Sequence, residues 1–265
     1  MASDLFQASA NTAFAKPMLH PEQPKLIVLE GIDLSGRTTQ VQLLHDWLAA
    51  QNYHVTTTAW RTSPLISDLL ARARTGPPLQ PLTYSLLFCA DHVDRTQRVI
   101  KPALERGEIV LADRYTYTAF ARDAARGLDP TWVRNLYHFS VQPDVVFYLH
   151  ISPEEAVKRR LALQQQRQNT AGVETATPGK TTKDAQERKQ HKPKPKEQAQ
   201  AALATTVQLS GEALESFRNF ENRMYSEYQQ MQKEFGFSVI EGDKSIDHVQ
   251  AMLRRAITQL LLNIG

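Results

Sequence analysis

What the 265-residue chain has least of narrows it first. It carries one cysteine, Cys89, so no intramolecular disulfide framework holds it together. Cys89 lies in the apolar run Leu86-Leu87-Phe88-Cys89-Ala90, where its plain reading is a small buried hydrophobe. No stretch approaches the roughly 20 consecutive apolar residues that cross a bilayer. The start also lacks the charged head and apolar centre of a secretory leader. We therefore expect a soluble, cytoplasmic chain with no membrane partner. Charge of one sign is scarce as well. The formal net charge is +3, and a single run accounts for all of it: Lys180, Lys183, Arg188, Lys189, Lys192, Lys194 and Lys196, against Asp184, Glu187 and Glu197.

With 42% hydrophobic residues the chain can bury one substantial core. Residues 1–24 mix small, polar and proline residues without a period and read as a disordered extension. Residues 25–265 read as one domain, interrupted at about 169–208 by a flexible, basic insertion with almost no large apolar side chains. No aromatic residue lies between Leu161 and Gly211 to stack on bases, so a nucleic-acid contact there is not favoured over a solvated linker.

Short apolar runs at 26–29, 53–59, 109–112, 145–149 and 237–240 are each followed by a segment of helical period. Continuous rather than alternating apolar character fits strands buried on both faces of a parallel sheet, so the fold class is α/β with helices flanking a five-stranded parallel sheet. Helices are expected at 38–50, 82–106 despite Pro102, 130–141, 153–168, 212–234 and 245–263.

The first strand ends in Gly31-Ile32-Asp33-Leu34-Ser35-Gly36-Arg37-Thr38, with Thr39 next. Two glycines bracketing a loop between a buried strand and a helix set unpaired N–H groups and the positive helix end against an anion. The pattern arises by chance in roughly one chain in a hundred of this length. It is a P-loop, and it points to the phosphates of a nucleoside triphosphate. Thr38 would give its hydroxyl to Mg²⁺, while Arg37 stands where the motif normally has lysine; its planar fork makes that exchange non-conservative. Asp113, closing the run Ile109-Val110-Leu111-Ala112, falls at a strand's C-terminal end and is a second candidate for Mg²⁺. Arg114 beside it could grip a phosphate.

Further motifs follow in order: Leu86-Leu87-Phe88-x-Ala90-Asp91, Ile100-x-Pro102-Ala103-Leu104, Asp113-Arg114-Tyr115 and Pro143-Asp144. With the loop, they make the chain resemble the thymidylate kinases from about Lys25 to Leu161, and more faintly from Phe217 to Ile257. The resemblance implies a P-loop NTPase fold, ATP and Mg²⁺ as cofactors, transfer of the γ-phosphoryl group to a nucleoside 5′-monophosphate such as dTMP, and a homodimer. It implies that Asp33 lies near the acceptor's sugar and reacting phosphate, Phe88 against its base and Arg114 on its phosphate. Arg61 and Arg95 are further phosphate candidates. Arg159, Arg160 and Arg167 stand where the family's lid presents arginines.

Some positions depart from the family pattern. His92 replaces an arginine that faces thymine, and Arg122-Asp123 replaces a Tyr-Gln pair facing the base. The lid runs into the lysine-rich insertion. Two alternatives therefore stay open: a kinase for another monophosphate, and a weakly active or inactive nucleotide-binding homologue.

Overall fold

A computed structural model describes residues 24–75, 78–174 and 211–262. The flanks of the chain and most of the expected insertion lie outside these residues, as does the 1–24 extension but for its last residue. Five parallel strands, β1 Lys25–Glu30, β2 Val55–Ala59, β3 Ile109–Asp113, β4 Val145–His150 and β5 Ser238–Glu241, form one sheet in the order β2-β3-β1-β4-β5. β1 is central: Leu26 pairs with Val110 on one side, and Ile27 with Val145 on the other.

Both faces of the sheet are covered, which is why the three inner strands, β3, β1 and β4, carry near-continuous apolar runs rather than alternating ones. Leu26 and Val28, Val110 and Ala112, and Val146 and Tyr148 point to one face. There they meet α4 Lys101–Glu105, α5 Thr116–Ala124 and α8 Gly211–Phe235. Ile27 and Leu29, Ile109 and Leu111, and Phe147 and Leu149 point to the other, against α1 Arg37–Ala50 and α9 Ile246–Leu262. Asp144, just before β4, pins the start of β1. It accepts from Leu26 N–H (2.7 Å) and pairs with Lys25 Nζ (3.0 Å).

Several expected boundaries move. The long helix at 82–106 is α3 Pro81–Arg95, a π turn Thr96–Ile100 and then α4; a proline ring cannot sit in a regular turn against the carbonyl four residues back, and the wide turn before Pro102 accommodates it. α6 is Pro130–Leu136 rather than 130–141. Tyr137 and Phe139, two residues apart, both enter one cluster, a spacing that no helix places on one face. α7, Pro153–Glu174, continues past residue 168, because lack of core contacts does not end a helix once it is nucleated. α2, Ser67–Thr75, is an addition to the expected helices; Leu70, 2% exposed, anchors it.

Candidate active site

The phosphate loop leaves β1 through Gly31, whose φ is +149°; a Cβ there would meet Leu149 O at 2.6 Å and Ser35 Oγ at 2.8 Å. Only glycine fits. Leu34 (φ +65°) and Gly36 (φ +95°) turn the chain back, both left-handed. Gly36 is the N-cap of α1, whose first bond runs from Gln40 N–H to Gly36 O (3.1 Å), with no side chain capping the end. The N–H groups of Arg37, Thr38 and Thr39 thus precede the helical ladder, next to the positive end of a 14-residue helix. This geometry suits a bound phosphate.

Thr38 Oγ1 donates to Asp113 Oδ2 (2.5 Å) at the mouth of the loop. A hydroxyl and a carboxylate in contact beside a phosphate cradle are the hard oxygens that Mg²⁺ takes; this ion keeps several waters and needs only one or two protein ligands. The residues fit that ion.

Arg37 does not extend into solvent. Its side chain, 7% exposed, donates to Gly31 O, Ile32 O (2.6 Å) and Ser35 Oγ (2.9 Å), and its Nε reaches Asp113 Oδ1 (3.3 Å). The fork that distinguishes arginine from lysine braces the inside of the loop.

Asp33, with its side chain 52% exposed, pairs with Arg114. Arg114 sits in a left-handed turn (φ +71°), its N–H on Leu29 O (3.0 Å) and its Nη1 on Thr118 Oγ1 (3.3 Å). Partial loss of water disfavours the Asp33 charge, but the guanidinium groups of Arg114, Arg37, Arg61 and Arg160 outweigh it and hold the carboxyl below its ordinary range. Arg61 follows β2 in another left-handed turn (φ +67°), set by the buried Asp91, which accepts from Arg61 N–H and Ser63 N–H (both 3.0 Å).

Two acids that organise this site were not anticipated. Glu30, 0% exposed, accepts from Tyr115 N–H (2.8 Å), Thr118 N–H (3.0 Å), Thr118 Oγ1 (2.6 Å) and Tyr228 Oη (2.7 Å). It holds the first turn of α5, and with it the Arg114 turn. Glu221 on α8, 1% exposed, accepts from Asp33 N–H (3.0 Å). Burial and the nearby Asp33 charge push its carboxyl up. Both acids lie on otherwise apolar faces, which was the available signal: Glu30 ends an apolar strand, and Glu221 falls between Phe217 and Met224 on the core-facing stripe of α8.

A second cluster lies between α3 and α5. Phe88 stacks on Tyr84 (4.5 Å between centroids), and the Arg122 guanidinium sits 4.2 Å from the Phe88 ring centroid. Asp123 grips Arg122 through both oxygens (2.6 and 2.8 Å) and accepts from Ser85 Oγ (2.6 Å). Thr118 and Arg122, one turn apart, share a face of α5, so one helix connects the Asp33–Arg114 pair to this cluster, in which Phe88, Arg122 and Asp123 are all buried.

The remaining candidates lie elsewhere. His92 is fully buried, with Nε2 on Ser140 Oγ (2.9 Å) and Nδ1 near Arg95 Nη2 (3.3 Å); burial, helped by the Arg95 charge, lowers it to about 3. Arg95, 1% exposed, bonds Asp91 and Thr58 (both 3.0 Å). His92 and Arg95 both pack against Trp60, which in turn contacts Phe88. Arg159 donates to the carbonyls of Leu34 and Gly242, whereas Arg160 lies over the Phe217 ring (5.5 Å) and acts on Asp33. The Arg167 side chain lies outside the described residues. Cys89 is buried as expected, and burial pushes its thiol up to about 11.

A family model for thymidylate kinase matches residues 29–194. The probable thymidylate kinase 2 of Saccharolobus solfataricus is 31% identical over 240 residues, covering 90% of this chain and 97% of the relative. The chain belongs to the thymidylate kinase family. Two further relatives are a probable thymidylate kinase of Thermococcus kodakarensis, 37% identical over 142 residues (50% of this chain, 69% of the relative), and a thymidylate kinase of a Synechococcus species, 33% identical over 162 residues (56% and 78%). As a member of this family the protein is a kinase, an ATP-dependent phosphotransferase of nucleotide biosynthesis on a P-loop NTPase fold. No described helix is long and apolar enough to cross a membrane.

Proposed function

We propose that the protein transfers the γ-phosphoryl group of ATP to dTMP, giving dTDP and ADP. The observation that carries this reading is the Asp33–Arg114 pair, which joins the triphosphate loop to the start of α5, the helix that sets Arg122 against Phe88. A donor held in the loop and an acceptor held on the Phe88 side of α5 meet at that pair.

In this reading the loop N–H groups, Thr39 and the end of α1 hold the donor phosphates. Thr38 and Asp113 would hold Mg²⁺, which would supply positive charge against the triphosphate. An acceptor phosphate oxygen attacks the γ-phosphorus as the bond to the bridging oxygen of ADP breaks. The acceptor is already anionic, so positioning and charge neutralisation suffice without a strong general base. Arg114 and Arg61 orient the acceptor phosphate, Arg160 approaches from α7, and Asp33 keeps Arg114 in place. Phe88, with Arg122 and Asp123, frames the base.

We further propose a cytoplasmic homodimer. Leu82, Leu86 and Val93 form an exposed apolar stripe on α3, with Leu65 and Leu69 also exposed; light scattering at micromolar concentration should return twice the chain mass.

The direct test is purified protein with Mg-ATP and a panel of nucleoside monophosphates, dTMP first, read by chromatography of the diphosphates. We expect dTDP above every other product. A different preferred diphosphate would reassign the acceptor, and none at all would end the kinase reading. One observation favours a second reading, a nucleotide-binding homologue with weak turnover: Arg37 is engaged with four loop and strand acceptors rather than extended. Tight ATP binding without turnover, unrescued by Arg37→Lys, would select it.

A further inference from the structure

Two consecutive arginines on α7 part company, and their contacts divide the labour between them. Arg159 uses Nη1 on Leu34 O (3.0 Å), Nη2 on Gly242 O (2.9 Å) and Nε on Glu155 Oε1 (2.8 Å). Glu155 is itself set by its own N–H on Ser152 Oγ (3.1 Å). Each nitrogen of the guanidinium therefore holds a protein acceptor. Leu34 is the phosphate-loop residue that adopts a left-handed backbone without being glycine, a conformation that L side chains disfavour. Gly242 belongs to the turn after β5. That turn is packed beneath the loop: a Cβ on Gly242 would stand 3.0 Å from Ile151 Cγ2, 3.3 Å from His150 O and 3.4 Å from Ser35 O.

We propose that Arg159 is a positioning residue of the donor site: it fastens the strained Leu34 turn of the phosphate loop to the β5–α9 turn, and so holds the loop open for MgATP without touching nucleotide. Arg160, over Phe217 and within the field of Asp33, is left for the acceptor side. The planar fork is essential, since one guanidinium spans two carbonyls that a lysine ammonium, a single point on a flexible stem, cannot brace together. The cost of losing the tether falls on the loop's conformation, not on the reacting charge.

The proposal rests on the loop binding MgATP, and its main readout needs no turnover. Calorimetric affinity for Mg-AMPPNP is measured on wild type, Arg159→Ala, Arg159→Lys and Arg159→Ala/Leu34→Gly. Removing the tether should weaken binding about tenfold, with lysine intermediate. Glycine adopts the left-handed turn unaided, so Leu34→Gly should restore most of the lost affinity in the Arg159→Ala background. Where turnover is present, KM for MgATP should rise while KM for the monophosphate stays within about twofold. A kcat drop of about a hundredfold with unchanged nucleotide affinity would overturn the proposal, because it marks a transition-state contact. Failure of Leu34→Gly to rescue would also overturn it. Should Arg159→Ala not fold, the Arg159→Lys pair with and without Leu34→Gly decides by the same criterion. If wild type binds the analogue but makes no diphosphate, the kinase reading fails while the tether is still tested.

Discussion

Replacing Glu30 with alanine removes the common acceptor of four groups in a fully buried site. The N–H groups of Tyr115 and Thr118 lose their partner outright. The two hydroxyls fare better, because Thr118 Oγ1 and Tyr228 Oη lie 2.9 Å apart and can pair with each other. Each stranded buried N–H costs about 1–3 kcal/mol, so the pair costs about 2–6 kcal/mol. Part is returned because a carboxylate that burial has already destabilised is gone. A net loss of about 3 kcal/mol is expected, a large share of a typical domain's stability. Glu30→Gln keeps the shape and an oxygen for both N–H groups, and turns its amide NH₂ toward two hydroxyls that can accept; it should cost about 1 kcal/mol or less. Urea denaturation followed by circular dichroism at pH 7 separates the two, and equal stability of both variants would refute the reasoning. The pH dependence gives a second check. Burial raises the Glu30 carboxyl above its ordinary 4.5, so the native state keeps that proton to higher pH than the unfolded chain. Stability from this group is therefore greatest at acid pH and declines as pH rises from 4.5 through the raised native value; Glu30→Gln should lack that component.

Gly31→Ala would force a Cβ to 2.6 Å from Leu149 O, so nucleotide-analogue affinity measured by calorimetry should fall at least about tenfold. His92 should stay neutral in imidazole NMR spectra down to pH values near its lowered value of about 3. Because the unfolded ring binds its proton near 6.5, the His92 contribution to stability is present above that pH and is lost as pH falls toward 3. Arg122→Ala leaves the buried Asp123 without its counter-charge and should cost about 3 kcal/mol. Adding Asp123→Ala should recover part of that loss in a double-mutant cycle.

The donor half of the site was legible because glycine spacing, a hydroxyl and a strand-end aspartate are local features read one after another. Legibility fails where the chain returns from afar. Glu221 reaches Asp33 across 188 positions, and Tyr228 reaches Glu30 across 198; no window of sequence joins them. Arginines were visible as charges, but which neighbour each would serve was not. Arg159 and Arg160 look equivalent on paper, yet Arg159 bonds the carbonyls of Leu34 and Gly242 while Arg160 lies over Phe217. His92 differs again, because its position in a motif says nothing about the rings of Trp60, Tyr115 and Tyr137 around it. Strand existence was clear from unbroken apolar runs, while helix ends moved wherever Pro102 or the Tyr137–Phe139 spacing intervened.

The position of β1 sets an order of events during synthesis. Its first partner is β3, reached only when Ile109 has been made, and its second is β4, beginning at Val145. The strand that carries the phosphate loop thus emerges first and is completed by neighbours made much later. Until then six residues that end buried have no sheet to enter, and contacts of such sequence separation form slowly. A nascent chain halted before Ile109 would present an apolar, unpaired strand, a state prone to aggregate. The most recognisable segment of this kinase is therefore its most vulnerable one on the ribosome.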